Sequence, residues 1–234
     1  MDLSIQSNKA LIQCTKCMII LMVLIIPIQV MIFMISPMPA DGLGFLTLMN
    51  NNPLLGLLHM DLLYLFNNTF LIFFYIVLYI TLKEKHTALL NIALITGIVG
   101  AILYYTSNRS VEMLLLAEKF YSAEDISIKM VYIGIANSYL DIWKGTAFNT
   151  YYVLSAISLI LFSIVMIKSD VYSKKTGIIG LISGLLMIVP SGFGMVGLIM
   201  SLLSLIPWIL FSILVVIRLH QYTTYNYKKI TKSI

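Results

Sequence analysis

Charge is what this sequence has least of. Asp, Glu, Lys and Arg supply 11% of its 234 residues, against about 25% in ordinary soluble domains, and a soluble globular fold is thereby excluded. Cysteine is scarce too. The two present, Cys14 and Cys17, cannot build a disulfide framework. Zinc takes four ligands, and only His86 and His220 could join the pair from the same side, so no metal and no cofactor is expected. The chain also lacks a histidine-rich set, a paired acidic motif and a serine in a rhomboid-like glycine context, which leaves no catalytic residue to nominate. The formal net charge of +5 does not point to nucleic acid, because the basic residues gather at the ends of apolar runs.

What remains is apolar: 60% of the residues are hydrophobic, in several runs of about 20 residues, each long enough to cross a hydrocarbon core of ~30 Å. The sequence therefore reads as an all-α integral membrane bundle of six transmembrane helices. Residues 1–17 form a polar N-terminal segment, 18–217 the six-span bundle and 218–234 a basic tail. The first span covers 18–35, with Pro27 inside it. A signal peptide is the rival reading, but Met38 stands where cleavage after Ala40 needs a small residue. A loop without Lys or Arg follows over 36–53. The second span ends near Leu82. The third, 88–105, carries Ala93, Gly97 and Ala101 four apart, a face for close helix packing. The fourth covers 145–167, the fifth 176–190 with a Gly180/Gly184 pair, and the sixth 195–217 with Pro207.

Between the third and fourth spans lies an outer helical segment, residues 107–144. Ser110 is positioned to cap one short helix, and Ser122 with Asp125 resembles a capping box for a second. Ile126, Met130, Ile133 and Leu140 share a face of that second helix, with Asn137 among them. Trp143 and Lys144 read as an interfacial anchor.

Eleven of the fifteen basic residues (Lys9, Lys16, Lys83, Lys85, Lys168, Lys174, Lys175, Arg218, Lys228, Lys229 and Lys232) fall on one side of this topology, and Arg109, Lys119, Lys129 and Lys144 on the other. The positive-inside rule then places both termini in the cytoplasm of a bacterial plasma membrane.

The densest polar feature entering a span is HMDLLYLFNN, residues 59–68. At ~100° per residue Asp61, Tyr64, Asn68, Tyr75 and Tyr79 fall within an arc of about 60°. Such a stripe turns inward, because unpaired polar groups in hydrocarbon cost kilocalories. Asp61, Tyr64, Asn68 and Tyr75, with Asn137 and Asn149, are the ligand-binding candidates. Lys144 opens the fourth span at the depth of Asp61, and an Asp61–Lys144 structural pair is expected. The glycines of 192–197 spell G-x-G-x-x-G, but a membrane span rather than a strand precedes them, so they read as a hairpin turn. The acceptor pattern Asn67-Asn68-Thr69 lies inside the membrane, and Asn108-Arg109-Ser110 matters only in a eukaryote.

Three phrases together, DLLYLFNN leading to a Tyr-rich span ending LKEK, GTAFNTYYVLSAISLILFSIVMIKSDVYSKKTGIIGLISGLLMIVP, and SLIPWILFSILVVIRL, resemble a group of uncharacterised bacterial multi-pass proteins, domain of unknown function 4386. The resemblance covers about residues 18–220 and implies a six-helix membrane protein, with no activity and no catalytic residues to carry over. Three functional readings stand open. One is non-enzymatic binding of an apolar or lipid-like ligand or a partner protein, among membrane lipids. The second is a small-solute transporter of two inverted three-helix halves. The third is an intramembrane enzyme using Asp61.

Overall fold

A computed structural model describes residues 8–83 and 86–231. Glu84 and Lys85 of the first basic turn and Lys232 of the tail lie outside the described residues, as do the side chains of Lys228 and Lys229. Every regular element among the described residues is a helix: α1 Lys9–Ile35, α2 Gly42–Asn51, α3 Pro53–His59, α4 Leu62–Leu82, α5 Thr87–Ser107, α6 Ser110–Ser122, α7 Ile126–Trp143, α8 Thr146–Lys168, α9 Lys174–Met187 and α10 Gly194–Thr231. The all-α bundle is as expected.

Five stretches, built on α1, α4, α5, α8 and α10, are long and apolar enough to cross a membrane. The fifth expected span is the exception. Its helix, α9, has 14 residues, about 21 Å at 1.5 Å per residue, because the chain leaves the helix before Pro190, which cannot continue it. The first and last helices run past the expected ends of the bundle. Helix α1 begins at Lys9, inside the expected polar segment, and α10 runs on through Thr231 without a break at 218.

The long helices and α9 form a ring in chain order. Helices α1, α4, α5, α8, α9 and α10 each pack on the next, and α10 closes on α1. The ring's interior is filled, with Ile19, Met22, Phe74, Tyr75, Phe162 and Phe211 all buried in one core. Small residues set the tightest seams. Ala93 and Ala101 are fully buried, and a Cβ on Gly97 would stand 2.6 Å from Ser158 Oγ. Ser158 Oγ donates to the Ala93 carbonyl at 2.7 Å. On α9, Gly180 lies against Ser163 and Phe211, and Gly184 against Ile160 and the Ala156 carbonyl.

A second body covers one end of the ring. Helices α2, α3, α6 and α7 pack together around Phe45, Leu46, Met49, Met113, Phe120 and Trp143, a core separate from that of the bundle. The expected loop over 36–53 is thus a structured part of this cap. Asp41 accepts the Gly44 N–H at 2.8 Å to start α2, and Asn52 accepts the Leu55 N–H at 3.1 Å to start α3, where Pro53 takes the first position. These elements are too short to announce themselves by hydropathy and gain their stability by burial against α6 and α7. Two expected caps are corrected. Ser110 is the first residue of α6, and its N–H is taken by Asn108 Oδ1 at 3.0 Å. Asp125 itself caps α7, accepting the Ser127 N–H at 2.7 Å, while Ser122 ends the preceding helix.

Candidate functional site

The two bodies meet at Asp61. It is the residue before α4, in the left-handed region at φ 61, a conformation that is uncommon away from glycine. The turn at Met60 and Asp61 lets α3 end and α4 descend in a new direction. The Asp61 carboxylate Oδ2 accepts a hydrogen bond from Trp143 Nε1 at 3.1 Å. Trp143, the last residue of α7, is buried and meets Phe45 edge-on at 6.2 Å. One indole therefore links α7, α2 and the head of α4.

The expected Asp61–Lys144 pair is not a direct ion pair. Lys144 is exposed, and its Nζ stands over the Trp143 ring, 5.1 Å from the centroid. Helix α7 ends at Trp143, so the indole turns inward to the carboxylate and the next side chain turns out over the ring's face, where cation–π attraction holds it. Burial pushes the Asp61 carboxyl up to about 7, against the opposing pull of the Trp143 hydrogen bond, the Lys144 charge and the Tyr104 hydroxyl.

Around Asp61 stands a set of rings. Tyr64 faces Tyr104 at 6.4 Å, Tyr104 meets Tyr151 edge-on at 4.9 Å, and Phe148 packs on Tyr152 at 5.1 Å. Tyr104, Phe148, Tyr151 and Tyr152 were absent from the sequence-derived set. Their signal was the doublets Tyr104-Tyr105 and Tyr151-Tyr152, which antiparallel α5 and α8 bring to one depth. Of the nominated residues, Asp61, Tyr64 and Asn68 do gather here. Asn68 is fully buried, its Nδ2 donates to the Tyr64 carbonyl at 2.9 Å, and its Oδ1 has no partner. Tyr75 sits deeper, stacked on Phe162 at 5.7 Å, and Tyr79 donates to Asn91 Oδ1 at 3.0 Å. Asn137 is elsewhere: its Oδ1 accepts the Gly42 N–H at 2.8 Å and ties α7 to α2. Asn149 donates to the Lys144 and Gly145 carbonyls at 3.1 and 2.9 Å, as a local brace at the head of α8.

Two open grooves flank this aromatic set. The first, about 460 Å³, lies between α4 and the corner where α5 turns into α6. Its apolar wall is Leu62, Leu65, Phe66 and Val111, and its rim carries Arg109 and Glu112, joined by Arg109 Nη1 to Glu112 Oε1 at 2.9 Å. Thr69 Oγ1 and Tyr105 Oη meet at 2.9 Å across it. The second groove, about 610 Å³, runs between the head of α8 and the turn before α10, over Asn149, Val153, Pro190 and Phe193, with no charged side chain in its lining.

The remaining motifs have local structural roles. His59 is buried, its Nε2 is 3.1 Å from Ser36 Oγ, and its ring stacks on Phe33 at 5.6 Å. Burial lowers its pKa. Its Nδ1 has no hydrogen-bond partner, so the ring is not bonded to Asp61. Cys14 and Cys17 are exposed and unbridged on α1. Among the described residues no three His, Cys, Asp or Glu side chains converge as metal ligands. The glycines of 192–197 do form the turn between α9 and α10: Gly194 has φ +62, Gly192 lies against Asn149, and Gly197 against the Pro190 carbonyl. Asn108 is buried, its Nδ2 donating to the Met60 carbonyl at 2.9 Å. Compared with known proteins, the chain matches no family model, no curated protein and no solved structure.

Proposed function

We propose that this chain is a six-crossing plasma-membrane protein that binds a lipid-like amphiphile in the groove between α4 and the α5–α6 corner. The kinship with the bacterial multi-pass group named above belongs to the same proposal. What supports the sixth crossing is the height that α9 and its turn retrace. Gly177 abuts Ile167, Gly184 abuts Ile160, and Gly192 abuts Asn149. From 149 to 167 along α8 is about 27 Å at 1.5 Å per residue, so α9 completes with its following turn a crossing that its helix alone does not. What supports the orientation is the distribution of basic residues, with the cap outside and both termini in the cytoplasm.

The observation that carries the binding reading is the form of the groove. It has an apolar wall, a charged rim at the point where α5 leaves the bundle for the cap, and an open side. An amphiphile has that same polarity along its length. Native mass spectrometry of the detergent-purified chain, titrated with phospholipid, tests it. Wild type retains lipid, and Leu65→Arg, which places a charge in the apolar wall, loses it. Equal retention by both sinks the reading.

A transporter of two inverted three-helix halves is the second reading. It draws support from the buried Asn68 Oδ1 and Ser155 Oγ, which lack hydrogen-bond partners and are the kind of atoms that internal water serves. The packed midplane, where Phe74, Tyr75, Phe162 and Phe211 fill the interior, weighs against it. Enzyme chemistry at Asp61 draws less support still, since Trp143 is the partner of its carboxylate and a base or nucleophile is not.

A further inference from the structure

The groove at the α5–α6 corner contains more polar atoms than a tail-binding slot needs, and their hydrogen bonds show which remain available. Thr69 Oγ1 donates to the Leu65 carbonyl at 2.9 Å. Its single proton is used there, so at the 2.9 Å Thr69–Tyr105 contact the tyrosine hydroxyl is the donor. Both hydroxyl protons are therefore committed. Asn108 Oδ1 already accepts from Ser110 N at 3.0 Å and Ser110 Oγ at 2.7 Å, and one Nδ2 proton goes to the Met60 carbonyl. The middle of the groove thus has little left to offer an ester or glycerol oxygen.

The rim differs. Arg109 spends Nη1 on Glu112 Oε1. A guanidinium has five N–H groups and a carboxylate two oxygens, so one edge of the arginine fork and Glu112 Oε2 remain. The side chains are 28% and 42% exposed. No other charged residue lines the groove, so the rim is a neutral pair of opposite charges side by side. An anionic headgroup meets attraction at Arg109 and repulsion at Glu112. A headgroup carrying a phosphate and an ammonium meets attraction at both, and arginine is the side chain suited to a phosphate's paired oxygens. Below the rim, Leu62 to Thr69 descend α4 by about 10 Å, past the exposed Phe66, along the path an acyl chain would take.

We propose that this groove selects a phospholipid with a zwitterionic headgroup, its phosphate on Arg109 and its ammonium on Glu112. The proposal rests on the amphiphile reading of the groove and names its ligand class. A primary ammonium donates N–H bonds to Glu112 that a quaternary one does not, so phosphatidylethanolamine ranks ahead of phosphatidylcholine. The plain alternative is that Arg109 and Glu112 are a surface pair in the first turn of α6, where an acid complements the helix dipole. In that case headgroup identity does not matter.

The test is native mass spectrometry of the full chain in detergent. It is titrated separately with phosphatidylethanolamine, phosphatidylcholine and phosphatidylglycerol of identical acyl chains. The expected result is retention of phosphatidylethanolamine over phosphatidylglycerol by about tenfold, the size of one charge-assisted contact. Glu112→Gln should erase that ratio by admitting phosphatidylglycerol, and Arg109→Gln should weaken all three lipids. Leu65→Arg separates the two levels of the argument. Loss of all three lipids in Leu65→Arg, with equal binding of the three in wild type and no change in Glu112→Gln, overturns the headgroup proposal and leaves the groove standing. Retention unaffected by Leu65→Arg overturns the groove reading and the headgroup proposal together.

Discussion

Replacing Asp61 with asparagine should stabilise the protein at pH 8 and remove most of its pH dependence between pH 5 and pH 8. The carboxyl titrates at about 7 in the folded chain, chiefly because burial disfavours the ion, whereas an unfolded aspartate titrates near 3.9. Below about pH 4 both states hold the proton and the group contributes nothing. As pH rises from there the unfolded chain loses its proton first and the folded chain keeps it, so stability falls. Above about pH 7 both are ionised and the loss is complete. It amounts to about 4 kcal/mol as a ceiling, because Asp61 is half-buried rather than sealed and solvent screening trims it. At roughly 2–4 °C per kcal/mol for a chain of this size, wild type should melt higher at pH 5 than at pH 8 by up to about 10 °C. Asparagine is isosteric, stays neutral and still offers an oxygen to the Trp143 indole. A thermal melt in detergent, followed by scanning fluorimetry at several pH values, reads this directly. A wild type whose midpoint is flat across that range, or an Asp61→Asn that tracks wild type, would refute the account of the site.

Further outcomes follow from other parts of the molecule. In the proposed orientation a cysteine at Glu118 should react with an impermeant thiol reagent in intact cells and one at Lys174 should not, in a background lacking Cys14 and Cys17; the reverse pattern overturns the orientation. Gly184→Leu should lower the melting point by the equivalent of about 1–3 kcal/mol, the usual range for overpacking, since its Cβ alone would stand 2.7 Å from Ile160. Ile182→Leu, at an exposed position on the same helix, should change little, and equal effects would place the glycine against lipid. Phe45→Ala should cost about 3–5 kcal/mol within the cap alone, detected as faster proteolysis of residues 107–144. Uniform destabilisation of bundle and cap would mean the two cores are one cooperative unit.

How much of this could be read from the sequence depended on length scale. A run of about 20 apolar residues dominates its own environment, so α1, α4, α5, α8 and α10 were visible. Helix α9 is 14 residues, and where it stops is decided by Pro190 and by packing against α8, which hydropathy does not weigh. Helices α2 and α3 were missed because 10 and 7 residues gain little stability alone and depend on distant partners, as Gly42 does on Asn137, 95 residues further on. The inward stripe on α4 was legible at Asn68 and Tyr75, since periodicity fixes a face. Its partners were not, because they come from α5 and α8. The error at Lys144 was a single residue: charge pairing favoured the lysine, and the helix end turned the indole of Trp143 inward instead. Asn137 was nominated on the face of α7 and Asn149 as a further donor to the Asp61–Lys144 pair; in the structure Asn137 accepts the Gly42 N–H and Asn149 donates to the Lys144 and Gly145 carbonyls.

The ring of helices in chain order bears on how the protein is made. Each helix of the ring finds its preceding ring neighbour already made, so assembly proceeds largely through contacts that are short in sequence. The seam between α10 and α1 is different. Ile19 and Met22 on α1 and Phe211 and Val215 on α10 belong to one buried core, yet nearly the whole ring is synthesised between them. Until α10 arrives, α1 waits with that flank open to lipid or to other newly made helices. This interval is when an insertase or membrane chaperone has something to shield, and a chain stalled before α10 is the form that membrane quality control should recognise.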